Sequence, residues 1–319
     1  MAEMEKTPFV RELASSDRKT RDKALESLTL FLRSRTDLTL VDLLKLWKGL
    51  FFCFYHSDRP LTQQALARAL SYSLVPSLPH QTVHRFLRAF WITIGRDFHS
   101  LDRLRLDKYL FLIRCYVGVA FEAFVKRKTE QNQEDGKKRK REDTKQSKQG
   151  GKRQKKQEET KAASIVEDEE TSEGKWADLE AYISIIEEGP LCPRNFDPDQ
   201  PSKPVSEEGG DPNFVPMPHG PDGLRYHVVD IWVDELEKVL EFEEEESEGN
   251  RKIKGDVPME LLLRPLEKLR TESPYKPVRT RAAEALGDDR LVEWGVRERK
   301  VEEEEEEDSE QEWGGFGDD

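Results

Sequence analysis

The sequence predicts an all-α fold, an irregular HEAT-like helical-repeat solenoid. Residues 101–125, LDRLRLDKYLFLIRCYVGVAFEAFV, are apolar on nearly every side. Such a helix lies inside a large protein or spans a membrane, and Arg114 and Glu122 disfavour a membrane span. Apolar residues also recur at helical spacing elsewhere, with short connections and no strand pattern. We therefore expect a buried central helix that is covered by other helices.

The first part of the chain predicts about six helices. Pro8 begins one pattern, Asp17 is the N-cap of a second, Thr39 starts another, and Pro60 stands in the first turn of a helix reaching about Leu74. The next, over 81–98, is the most regular, because its apolar residues share one arc. They are Val83, Phe86, Leu87, Phe90, Trp91, Ile94 and Phe98. Short loops favour antiparallel neighbours, although no exact internal repeat is visible.

The second part predicts a short helix beginning near Trp176, a loop rich in proline and glycine, and a long helix from Gly223. The long helix has a wide apolar face that includes Trp232. Its opposite polar stripe consists of Asp230, Asp234, Glu237 and Glu241. Helices over 258–271 and 278–286 and a turn over 291–294 follow, and Pro265 should kink or shorten the first of them.

Charge divides the chain into a basic first part and an acidic last part. Residues 1–125 carry a net charge of +6, residues 126–161 of +8 and residues 162–319 of −27. The basic tract lacks the apolar residues that a folded core needs. We predict a helical half at 1–128, a disordered basic insertion at 129–173, a second helical half packed on the first at 174–296, and a disordered acidic tail at 297–319. The asymmetry indicates nucleic-acid or protein partners rather than a small-molecule substrate.

No catalytic or metal site is predicted. The sequence has no Gly-rich phosphate loop, no H-E-x-x-H and no G-x-S-x-G, and its histidines and cysteines lack ligand spacing. We therefore expect no enzyme activity, no cofactor and no metal. Cys53 and Cys115 lie in apolar runs and should be small core residues. The polar start, Met1–Lys6, predicts no signal peptide.

Two basic clusters inside the insertion are candidate functional sites. They consist of Lys137, Lys138, Arg139, Lys140 and Arg141, and of Lys152, Arg153, Lys155 and Lys156. Their spacing resembles a bipartite nuclear localisation signal, and the same charge could hold RNA. The alternative is a linker that only solubilises the chain.

Two surfaces of the helical part are further candidates. Arg85, Arg88 and Arg96 share the polar side of their helix and are candidate phosphate contacts, although such stripes are more often solvated surface. On the long second-half helix, Tyr226, Asp230 and Asp234 are candidate partner contacts. The two aspartates could equally form an ordinary solvated face, and Trp232 is expected in the core.

Residues 223–236, GLRYHVVDIWVDEL, resemble the ribosomal RNA-processing protein 1 family, a eukaryotic nucleolar family. The resemblance extends to 101–117, to 47–51 with the following RPLTQQALA, and to 8–13. It implies a non-catalytic helical-repeat scaffold of nucleolar pre-60S particles that is required for ribosomal RNA processing. The implied partners are other large-subunit assembly factors, ribosomal proteins and precursor ribosomal RNA (pre-rRNA), with no membrane. The alternative is a nuclear helical-repeat adaptor of the import or chromatin type that binds only proteins.

Overall fold

The computed structural model describes residues 12–13, 15, 17–126, 176–194, 215–218, 220–243 and 251–297. These ranges contain ten α-helices and no β-strand, apart from one isolated antiparallel bridge between Phe242 and Ile253. The all-α class is therefore confirmed. The helix expected at 8–13, the basic insertion and the acidic tail lie almost wholly outside the described residues.

The first five helices precede the basic tract. They are α1 (Arg18–Ser34), α2 (Leu40–Tyr55), α3 (Pro60–Arg68), α4 (His80–Asp97) and α5 (Arg103–Phe121). The other five follow it. They are α6 (Ala177–Glu188), α7 (Asp222–Glu237), α8 (Met259–Glu272), α9 (Lys276–Leu286) and α10 (Asp289–Glu293).

The helices α2 to α9 lie in two rows. In row A, α2 packs on α4, α4 on α6, and α6 on α8. In row B, α3 packs on α5, α5 on α7, and α7 on α9. Each successive pair of helices thus contributes one helix to each row, which is the arrangement of a HEAT-like solenoid. The pairing of α4 with α6 and of α5 with α7 continues both rows across the basic tract.

The central helix and the long second-half helix are buried against each other. Every residue from Cys115 to Phe121 in α5 is buried. The ring of Phe121 stands edge-on to Trp232 of α7, with ring centroids 4.9 Å apart. The Trp232 indole N–H donates to the Leu262 carbonyl of α8 at 2.9 Å. Trp232 is therefore a core residue, as predicted.

Local sequence signals explain several helix boundaries. The Asp17 carboxylate accepts from the Thr20 backbone N–H, and Thr39 forms a capping box with Asp42. Pro60 occupies the first turn of α3. The helix expected to reach about Leu74 does continue to Ser73, but its last turn, Ala69–Ser73, is π-helical. The Leu70 carbonyl in this turn accepts a hydrogen bond from the buried Tyr116 hydroxyl at 2.6 Å, which compensates for the interrupted α-helical pattern.

Pro265 does not shorten its helix, contrary to one of the two expected effects. It lies inside α8, which continues from Met259 to Glu272. Pro265 itself is buried, and so are Leu262, Leu263, Leu266 and Leu269 around it. Because tertiary packing supplies most of the stability of a helix in a protein, this apolar face outweighs the loss of one backbone hydrogen bond.

Candidate interaction surfaces

The arginines of the predicted phosphate stripe bond within the protein. Arg85 donates through Nη1 to the Leu38 carbonyl at 2.8 Å and through Nη2 to the Thr36 carbonyl at 3.1 Å. It thereby ties α4 to the loop between α1 and α2. Arg96 is the most exposed of the three and contacts its neighbour Asp97.

Arg88 makes a bidentate ion pair with Glu188 at the end of α6. Its Nη1 and Nη2 atoms lie 2.7 and 2.9 Å from the two carboxylate oxygens. A phosphate could bind this guanidinium only by displacing Glu188 from a favourable geometry. Phosphate contact by Arg85, Arg88 and Arg96 stays a prediction. Of the three, Arg96 is the best placed to bind a phosphate, because it is the most exposed.

Ion pairs connect neighbouring helices along the whole of row A. Each of the three interfaces in the row contains at least one pair. They are Lys48–Asp97 between α2 and α4, Arg88–Glu188 between α4 and α6, and Arg264–Glu187 between α6 and α8. The cations in these three pairs are therefore compensated by carboxylates of neighbouring helices.

The acidic stripe of α7 is similarly bonded to arginines from other elements. Asp234 accepts from Arg114 of α5 at 2.7 Å and from Arg290 of α10 at 3.0 Å. Glu237 accepts from Arg290 at 2.9 Å and from Arg251 at 2.8 Å. Partial burial would raise the pKa of Asp234, but the hydrogen bonds from the two arginines outweigh it and hold that pKa below its ordinary value.

Tyr226 and Asp230 form one surface cluster with Arg281 of α9. The Arg281 guanidinium lies 4.9 Å from the centroid of the Tyr226 ring and donates to both Asp230 oxygens at 2.6 and 2.8 Å. Tyr226 is half-buried, whereas Asp230 and Arg281 are exposed. Of the residues predicted as partner contacts, Tyr226 and Asp230 are thus brought together, while Asp234 bonds to Arg114 and Arg290. Partner binding by these residues stays a prediction.

Glu235 is a buried carboxylate that the sequence patterns do not single out. Its side chain is 1% exposed and accepts from Arg114 Nε at 2.5 Å and from Lys238 Nζ at 2.6 Å. The other oxygen approaches Gly118 of α5, where an added Cβ would lie 2.7 Å from it and would also collide with the Tyr72 hydroxyl. Gly118 in the middle of an apolar helix is the one sequence signal of this close approach.

The two basic clusters, Lys137–Arg141 and Lys152–Lys156, lie outside the described residues. Their roles in nuclear import and RNA binding therefore stay predictions.

Cys53 and Cys115 are buried, as expected of core residues. Burial raises the pKa of the Cys53 thiol to about 12 and that of Cys115 to about 11, so both remain thiols at neutral pH. Within the described ranges, no cluster of histidine, cysteine, aspartate or glutamate could hold a metal ion. None of the described helices is both long and apolar enough to cross a bilayer.

Several curated proteins are similar to this chain. Human ribosomal RNA processing protein 1 homolog B is 26% identical over 237 residues, which are 72% of the chain and 22% of that protein. The mouse protein of the same name is 38% identical over 132 residues, covering 39% of the chain and 18% of the relative. Human ribosomal RNA processing protein 1 homolog A is 35% identical over 130 residues, which are 39% of the chain and 28% of that protein. The chain thus spans less than a third of the length of these relatives.

A family described as "Nucleolar protein, Nop52" matches residues 4–135 and 212–315. The two ranges include nine of the ten described helices, all except α6. They also contain the motif at 223–236 and the central helix, so the resemblance inferred from those residues is confirmed. Because the match extends over well more than half of its length, the chain belongs to the Nop52 family of nucleolar proteins.

Proposed function

We propose that this chain is a non-catalytic scaffold of nucleolar pre-60S particles, where it supports ribosomal RNA processing. It binds other assembly factors, ribosomal proteins and pre-rRNA. Family membership and the names of the relatives support the role in ribosomal RNA processing. The observation that carries the scaffold role is the pair of helix rows that continues across the basic tract, with ion pairs between neighbouring helices.

The proposed mechanism is positional. An arginine that bridges two helices fixes their separation, so surfaces on either side keep a set distance. Residues 1–161 carry a net charge of +14 and residues 162–319 of −27. The basic part faces RNA phosphate, and the acidic part faces basic proteins. Because Asp234 and Glu237 bond within the fold, protein binding on the acidic side uses the more exposed acids of the helical part.

Crosslinking in cells tests the proposal. Ultraviolet crosslinking of the full chain, followed by sequencing of the bound RNA, should recover pre-rRNA, and recovery should fall as the salt concentration of the wash rises. In parallel, depletion should cause unprocessed precursors to accumulate, and the full chain should restore processing. Protein partners without any RNA crosslink would instead favour the nuclear adaptor.

The basic clusters are tested by deleting residues 137–156. We expect the helical body to fold unchanged and nuclear accumulation to decrease. A matched control replaces the same residues with a glycine–serine segment of equal length, which keeps the spacing but removes the charge. Unchanged nuclear accumulation in both variants would refute the import role.

A further inference from the structure

An apolar groove runs between α1 and α3 at one end of the solenoid. It has a volume of about 360 Å³, and its apolar lining includes Leu13 and Leu25 on one side and Leu61 and Leu66 on the other. The Leu61 side chain is 81% exposed although it faces this groove. A large apolar side chain entering the groove would cover Leu61. The favourable free energy of this burial scales with the apolar area that is removed from water.

Basic residues outnumber acidic ones at the start of α1, the helix that forms one side of this groove. The first turns of α1 contain Arg18, Lys19, Arg21 and Lys23, and the first turn contains no acid. This distribution opposes the helix dipole, which favours anions at a helix N-terminus. Arg21 and Asp22 both line the groove, and Lys19 and Lys23 are exposed nearby on the same helix. Arg21 and Asp22 offset each other in the lining, so the excess of positive charge comes from Lys19 and Lys23 beside the groove. An apolar segment that also carries negative charge suits such a surface.

We propose that the groove binds the acidic segment 302–316 of the same chain, with the indole of Trp313 inserted between α1 and α3. Residues 302–319 contain eleven acids and no base, together with Trp313 and Phe316. The aromatic ring fills the groove and covers Leu61. The flanking carboxylates lie beside the basic first turns of α1.

The chain is long enough for this contact. Arg297 is the last described residue, and an extended segment reaches roughly 3.3 Å or more per residue. The sixteen residues from Arg297 to Trp313 can therefore span about 50 Å. From α9 to α3 there are three helix-to-helix steps in row B, or about 30 Å at 8–10 Å per step. The segment can cross the solenoid without strain.

Intrinsic fluorescence of the full chain tests the proposal directly. Five of the six tryptophans, Trp47, Trp91, Trp176, Trp232 and Trp294, are at most 7% exposed, so acrylamide should quench them poorly. Trp313 is the sixth. If it occupies the groove, the wild-type chain should lack a readily quenched component. Leu61→Glu should create such a component by repelling the segment, and adding Trp313→Phe should remove it again.

Leu104→Glu is the matched control. Leu104 is 91% exposed in the first turn of α5 and does not line the groove, so this variant should keep Trp313 shielded. Circular dichroism should show native helix content in both variants, because neither leucine is buried. The proposal is overturned if wild type already shows a readily quenched component that Trp313→Phe removes. It is also overturned if Leu61→Glu leaves quenching unchanged, or if shielding of Trp313 vanishes on dilution, since a second copy would then supply the segment.

Discussion

At the scale of single residues, Glu235 and Arg114 show why charge matters inside this fold. Glu235 is almost fully buried on α7, and Arg114 reaches it from α5 while also bonding to Asp234. A buried carboxylate is tolerated only when its charge is compensated. The sequence positions α5 and α7 as core helices, but it does not reveal this pair, since its members are separated by more than a hundred residues.

Arg114→Ala should lower the free energy of unfolding by about 3 kcal/mol, because it leaves Glu235 buried with Lys238 as its remaining cation. Urea denaturation measures the change. The matched control is Arg281→Ala, which removes the more exposed bridge from α9 to Asp230 and should cost at most about 1 kcal/mol. Equal losses in the two variants would contradict this account of Glu235.

Arg96→Gln tests the remaining candidate for phosphate contact without removing a bond that itself joins two helices. Arg96 pairs with its sequence neighbour Asp97. If Arg96 binds an RNA phosphate, the slope of log affinity against log salt concentration should decrease by about 1 in magnitude. Arg33→Gln, an exposed change on α1, is the control for a general loss of charge. A slope equal to that of wild type would exclude Arg96 as a contact.

At the scale of helices, the contact of α5 with α7 and with the π-helical turn Ala69–Ser73 depends on a residue without a side chain. Gly118 permits the Tyr72 hydroxyl and the Glu235 carboxylate to approach the α5 backbone. Alanine at this position would favour the helix locally, but its Cβ would overlap both groups. Packing and propensity therefore predict opposite effects.

Gly118→Ala should destabilise the protein by about 2 kcal/mol, as overpacking does in other cores. Gly223→Ala is the matched control. It lies in the first turn of α7, where the nearest atom to an added Cβ is Phe98 Cε1 at 3.7 Å, so it should be neutral or stabilising by up to about 1 kcal/mol. Thermal unfolding of both variants distinguishes the effects, and a neutral Gly118→Ala would show that the close approach relaxes without cost.

The short helix α10 is held to α7 by Arg290, and this contact should depend on pH. Arg290 donates to Glu237 and Asp288, and these hydrogen bonds hold the pKa of both carboxyls below their ordinary values. A carboxyl whose pKa is lower in the folded state stabilises the fold above its ordinary pKa of about 4. That stabilisation is lost as the pH falls through the lowered value.

The free energy of unfolding should therefore decline below about pH 4, and less steeply in Arg290→Gln than in wild type. Urea denaturation across a pH series measures both slopes. Arg103→Gln, an exposed change in the first turn of α5, should reproduce the wild-type slope. If Arg290→Gln also shows the wild-type slope, the bonds from Arg290 to Glu237 and Asp288 contribute no pH-dependent stability.

At the scale of the whole molecule, periodicity predicts the helices and their buried faces well. All seven apolar residues assigned to the face of the helix predicted over 81–98 are buried, and so is Trp232. The spacing of apolar residues along a helix is a local property, so it can be read directly from a single sequence. The partners of Arg88 and Arg114 are not local. A stripe of charge looks the same in sequence whether it faces solvent, RNA or the carboxylates of the next helix, so the ion pairs of both rows could not be predicted.

The proposed scaffold role depends on the pairing of the two halves. This pairing rests on contacts of α4 with α6 and of α5 with α7, which include Arg88–Glu188, Arg114–Glu235 and Phe121 against Trp232. Buried apolar area and desolvated charge act there together. We therefore expect the halves to stay associated when the chain that joins them is cut.

The most direct test inserts a specific protease site between Gly150 and Gly151, cleaves the purified chain, and measures its mass by light scattering after gel filtration. The account predicts a single species with the mass of the uncleaved chain and unchanged helix content. Two separate species, each half migrating alone, would contradict the claim that the helices on both sides of the basic tract form one body.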